Sequence, residues 1–92
     1  MLALPAQAVP AACNVVHSIF YNGGNTPPDV TAINWEVCDG FRIDFPATIY
    51  KNESGTWVQV ANGEGEAFYY CNGTTDNQYK NQSGQTITAT CV

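Results

Sequence analysis

Few residues in this chain are suited to covalent chemistry. His17 is the only histidine, and Ser18 follows it directly. On a strand, neighbouring side chains point to opposite faces, so these two form no nucleophile–base pair. Ser54 and Ser83 lie in no G-x-S-x-G elbow. Glu64 and Glu66 are two apart and reach one face, but a glycosidase needs its two carboxylates across a cleft. This pair opens a hairpin arm, where solvated carboxylates are the ordinary reading. Asp29, Asp39, Glu64 and Asp76 fall in loops without the spacing of a calcium loop. No metal, no other cofactor and no catalytic residue is therefore expected, and the chain reads as a non-enzyme.

Cysteine use points the same way. Cys13, Cys38, Cys71 and Cys91 are an even set in a short chain with no C-x-x-C pair, which favours disulfides over zinc. Bridged cysteines leave no thiolate. Recognition is what remains, and aromatic residues would carry it. Tyr50, Trp57, Phe68 and Tyr70, with Gln59, Glu66 and Thr48 beside them, are expected on one face of three adjacent strands. Exposed aromatic rings edged by hydrogen-bonding groups suit the apolar face of a sugar or the hot spots of a protein partner. The competing reading is a buried layer under the second sheet or a loop.

The elements that must position these residues are strands. Residues 33–45 alternate apolar and polar on both sides of Cys38-Asp39-Gly40, the period of two half-buried strands. Asp-Gly favours a two-residue type I′ turn. A three-residue loop with Gly40 left-handed instead pairs Val37 with Phe41, Trp35 with Ile43 and Ile33 with Phe45, and sets Glu36 opposite Arg42. That register keeps both apolar sets on one face, so it is the one expected, with Cys38 in the turn. Upstream, residues 13–21 are β-branched and aromatic and read as a strand of undecided inner face. Residues 22–29 are loop.

Pro46 marks a break or sheet edge. Residues 47–51 resume as a strand, and a four-residue turn at 52–55 pairs Tyr50 with Trp57, Ile49 with Val58 and Ala47 with Val60. Asn62-Gly63 then signals a second hairpin, pairing Ala61 with Glu64, Val58 with Ala67 and Trp57 with Phe68. Ala47, Ile49, Val58, Val60, Ala67, Tyr69 and Cys71 form the expected core face. After a turn-rich connection at 72–76, residues 78–80 and 86–91 supply two short strands. No ten-residue stretch has helical periodicity. The fold expected is all-β, a small antiparallel β-sandwich or barrel.

A chain of 92 residues buries too little apolar surface to be secure without staples. Two bridges are expected, Cys13–Cys38 and Cys71–Cys91, from the turn position of Cys38 and the inward faces of the late cysteines. Disulfides imply an oxidising, extracellular destination. Residues 1–12 read as a signal-peptide remnant or a flexible Ala/Pro-rich tail, leaving 13–92 as one domain. Three sequons, at Asn52, Asn72 and Asn81, fall in turns. The formal charge of −5 repels phosphate backbones and anionic lipid, so nucleic acid and membrane partners are not expected. No apolar run is long enough to span a bilayer as a helix. A monomer is expected.

Ala67-Phe68-Tyr69-Tyr70-Cys71 resembles the A-x-Y-x-C end of an immunoglobulin F strand, although the tryptophan spacing differs, with Trp35 lying 22 residues after Cys13. Size, two successive bridges and a last cysteine next to the C-terminus resemble the small secreted α-amylase inhibitors of actinomycetes. Their inhibitory Trp-Arg-Tyr triplet has no counterpart here, Phe41-Arg42-Ile43 being the nearest stretch. The reading that follows is a secreted, disulfide-stapled sandwich that binds an extracellular carbohydrate or protein. The alternative is an inhibitor of a secreted hydrolase, an amylase or protease, presenting loop 22–29 or 72–76.

Overall fold

The computed structural model describes residues 13–71, 73 and 75–90. The N-terminal twelve residues and Cys91, on which two of the expectations fall, lie outside them. Eight strands account for most of the chain: β1 (Cys13–Asn22), β2 (Asp29–Cys38), β3 (Phe41–Asp44), β4 (Pro46–Glu53), β5 (Thr56–Glu64), β6 (Glu66–Tyr70), β7 (Asp76–Asn81) and β8 (Thr86–Thr90). They form two antiparallel sheets. In sheet A, β2 is central, with β1 on one edge and β3 and β6 sharing the other; sheet B runs β5-β4-β7-β8. The all-β expectation holds.

The β2–β3 hairpin takes the two-residue-turn register instead of the expected three-residue one. Cys38 pairs with Phe41, Val37 with Arg42 and Trp35 with Asp44, so Cys38 ends β2 instead of lying in the turn. Asp39 and Gly40 both have positive φ, 49° and 83°, as a type I′ turn requires. The three-residue register assumed that β3 needs an apolar face turned to the core. All four residues of β3 are exposed. With no core contact to satisfy, turn chemistry decided the register.

The next two turns differ for related reasons. Ser54 and Gly55 form a second two-residue turn of positive φ, so Asn52 pairs with Trp57, Lys51 with Val58 and Tyr50 with Gln59. A bulge between Ile49 and Tyr50 then resets the pairing, setting Ile49 against Ala61. Val58 is consequently exposed, contrary to its expected core position, while Val60 and Ala61 pack on the core. Asn62-Gly63 is not a turn at all. β5 runs straight through it, and a Cβ at Gly63 would collide with the Glu66 carbonyl oxygen. The glycine is there for a close backbone approach.

The chain instead turns at Gly65, whose φ is 79°, and crosses from sheet B to sheet A. A reciprocal crossing occurs at Phe45, just before Pro46 opens β4, which fits the break read at that proline. One corner joins the two crossings. Gly65 N–H donates to Phe45 O (2.8 Å), Phe45 N–H to Asn34 O (3.0 Å) and Asn34 N–H to Gly65 O (2.8 Å). The Asn34 amide adds a bond to Pro46 O at 2.9 Å. Asn34 thus fills the gap on the β2 edge between β6 and β3.

Inside the two sheets lie Ile19, Val30, Ala32, Ala47, Ile49, Ala67, Cys71, Tyr79 and Ala89. Tyr69 and Tyr79 meet at a ring distance of 5.9 Å, and burial pushes the Tyr79 hydroxyl pKa upward. The core occupies only one end of sheet A. From residue 33 onward β2 leaves it, and with β3 and the first half of β1 it forms a three-stranded arm. The Cys13–Cys38 disulfide closes that arm where the two residues pair across β1 and β2, as expected. Cys71 is buried and is not a free thiol.

Candidate functional site

The expected three-strand stripe is divided by the crossing at Gly65. Tyr50, Trp57 and Gln59 belong to β4 and β5 of sheet B, whereas Glu66, Phe68 and Tyr70 belong to β6 of sheet A. Ile49 and Ala67, their inward-facing neighbours, are buried between the sheets. The two groups therefore look outward on opposite sides of the molecule. Glu64 and Glu66 are separated in the same way, Glu64 pairing with Pro46 and Glu66 with Ile33.

On sheet B, Lys80 covers the aromatic pair. Its Nζ lies 4.7 Å from the Trp57 ring centre and 5.6 Å from that of Tyr50, a distance at which the cation is attracted to both rings. Tyr50 and Trp57 are half-buried. A shallow pocket of 380 Å³ opens along the start of β4, lined by Pro46, Thr48, Asn62, Gly63 and Glu64.

Sheet A carries the more open surface. Cross-strand pairs place Phe20, Thr31 and Phe68 in one outward row, and Asn22, Asp29 and Tyr70 in the next. Phe68 is 47% and Tyr70 63% exposed. Their alternate spacing on β6 puts both rings on the same side, about 7 Å apart along the strand. Further along, Ser18, Ile33 and Glu66 share a row, and then Val16, Trp35 and Asp44. Arg42 closes this end: its guanidinium carbon sits 3.7 Å from the Trp35 ring centre, Nε bonds Asp44 Oδ1 at 2.6 Å, and Nη2 lies 3.8 Å from Glu66 Oε1.

At the other end, beside Tyr70, an open pocket of 460 Å³ is lined by Asn25, Thr26, Pro27, Asp29 and Tyr70. Asp29 is only 4% exposed. Its Oδ1 accepts from Asn22 Nδ2 (2.9 Å) and Thr31 Oγ1 (2.6 Å), and its Oδ2 accepts from Asn25 Nδ2 (2.9 Å). Asn22 Nδ2 also reaches Thr31 Oγ1 at 2.9 Å. Burial pushes the Asp29 pKa up, but the three bonds from Thr31, Asn22 and Asn25 outweigh it, and the pKa is lowered. The carboxylate stays ionised, and its bond from Asn25 ties the loop between β1 and β2.

Sequence reasoning missed Phe20, Trp35 and Asp29 as members of this face. The signal for Asp29 was present as Asp-x-Thr with asparagines at 22 and 25, but nothing local says that β6 lies next to β2. His17 and Ser18 point to opposite faces, pairing with Asn34 and Ile33. Cys13, Glu36 and Cys38 cluster closely enough for a metal ion, but both sulfurs are consumed in the disulfide. The Asn81 sequon is closed: Asn81 is buried, its amide bonds Gln85 Oε1 at 2.6 Å, and its carbonyl accepts from Ser83 and Gln85 N–H. Asn52 donates to Gln78 Oε1 at 2.9 Å and accepts from Gly55 N–H. The third sequon includes Asn72 and Thr74, outside the described residues.

No family model, no curated protein and no solved structure matches this chain.

Proposed function

We propose that the protein is a small secreted binding module that takes an extracellular carbohydrate on the outer face of sheet A. The observation that carries this reading is the pair Phe68 and Tyr70, exposed in successive outward positions beside a polar pocket. Flat aromatic faces stack on the apolar face of a sugar ring, and neighbouring amide and carboxylate groups accept or donate to its hydroxyls. Glu66 lies on the same face. The absence of a nucleophile–base pair among the described residues fits a protein that binds without turnover. Secretion, a leader within residues 1–12 and a Cys71–Cys91 bridge belong to the same reading, as does a monomer without nucleic acid or membrane partners.

The test is titration with a panel of soluble polysaccharides, followed by amide NMR. Phe68→Ala and Tyr70→Ala are each expected to weaken binding roughly fivefold, because a stacked ring contributes on the order of 1 kcal/mol. The unfolding midpoint should hardly move. Binding that survives both substitutions would remove the sheet A face from consideration.

A second reading is favoured by the loop between β1 and β2, tied to β2 by the bond from Asn25 Nδ2 to Asp29 Oδ2. A pre-organised loop loses little entropy on docking, as an inhibitor of a secreted amylase or protease requires. Inhibition of such an enzyme at stoichiometric concentrations, with no polysaccharide bound, would favour it.

A further inference from the structure

Among the described residues, Asp29 is a buried negative charge without a positive partner. The chain has three Lys and Arg residues in all, and each is committed elsewhere. Arg42 lies on Trp35 between Asp44 and Glu66, Lys51 pairs with Glu53 at 3.3 Å, and Lys80 covers Tyr50 and Trp57. Among the described residues no ion pair reaches Asp29. Its three donors are neutral side chains, which satisfy the oxygens but leave the charge. Buried charges in proteins are ordinarily paired.

The missing charge has a place to sit. Asp29 forms part of the wall of the 460 Å³ pocket, and its cross-strand partner Tyr70 forms another part. Asp29 and the exposed Tyr70 line the same pocket, and a carboxylate beside an aromatic ring attracts a cation by Coulomb and cation–π terms together. Asn25 and Thr26 add neutral hydrogen-bonding groups to the same wall, suited to the hydroxyls of a sugar ring. The pocket falls within the usual range for small ligands, and the Asp29 and Tyr70 row on its wall is next to the Phe20 and Phe68 row.

We propose that this pocket receives the primary ammonium of an amino sugar, so that the preferred ligand is a cationic, unacetylated glycan. The proposal rests on the carbohydrate reading above and adds a charge requirement to it.

The test compares ligands, so the wild-type protein is used throughout. Glucosamine trimer and its fully N-acetylated counterpart are titrated in parallel, with the Asn25 side-chain amide and Tyr70 resonances followed by NMR. The ammonium form is expected to bind at least tenfold more tightly, with both resonances shifting, and to lose that advantage at high salt. In Asp29→Asn, checked for folding by its amide spectrum, the preference should vanish; should that variant not fold, the acetylation contrast decides alone. Equal affinity for the two trimers overturns the charge requirement and leaves the carbohydrate reading intact. No binding of either trimer overturns the proposal, and the Phe68 and Tyr70 variants against the polysaccharide panel then decide the broader reading. Tighter binding of a lysine peptide than of glucosamine trimer also overturns it, by assigning the pocket to a protein side chain.

Discussion

The two ends of sheet A are built from similar residues and do different work. At one end, Ile19, Val30, Ala32 and Ala67 face sheet B and are buried. At the other, Val15 and Phe41 continue the same faces of β1 and β3, but no second sheet covers them, and they are 61% and 75% exposed. Alternation in the sequence is as regular in the arm as in the packed half. Burial depends on whether another sheet lies opposite, and sheet B ends short of the arm. The arm is held instead by its backbone ladder, the Arg42 stack on Trp35 and the Cys13–Cys38 bridge.

This contrast sets the order of expected effects. Ile49→Ala, in the packed half, should cost about 2–5 kcal/mol by leaving a cavity between the sheets, measured by urea unfolding. A cost below about 1 kcal/mol would mean that the core is looser than its burial implies. Replacing both Cys13 and Cys38 by serine should cost about 3 kcal/mol if arm and packed half unfold as one unit, since the bridge closes a loop of 25 residues. A much smaller cost, with amide exchange faster only in β1 up to Ser18 and in β3, would show that the arm opens independently. Phe41→Ser should change stability by no more than about 0.5 kcal/mol. A loss of several kcal/mol there would show that the arm is covered in solution, and sedimentation analysis would identify a second copy as the cover.

Much of the fold was legible. All eight strands were marked by β-branched and aromatic runs between Gly, Asn and Pro clusters. The Cys13–Cys38 bridge was expected too, although from a turn position of Cys38 that the structure replaces by the end of β2. Registers were less so. The expected hairpin at 33–45 used a core face to choose between two turns, but β3 has no core, so the local preference of Asp39-Gly40 prevailed. At Asn62-Gly63 the error ran the other way: a strong local turn signal was overridden because Gly63 serves a close passage of Glu66. The candidate site suffered most from this. Phe68 and Tyr70 were expected on the face opposite the core set, with exposed surface and buried layer both open; both are exposed, and their neighbours are Phe20 and Asp29 rather than Trp57 and Tyr50.

The amino-acid sequence by itself determined where the strands lie and which residues alternate along each, because the pleat acts over a few residues. Only the tertiary structure decided where β6 goes. Its passage into sheet A, fixed by the Asn34–Phe45–Gly65 corner and by burial of Ala67 beside Ala32, brings Tyr70 next to Asp29. Strand pairing across some forty residues is set by which faces can be buried together, and local sequence carries no record of that.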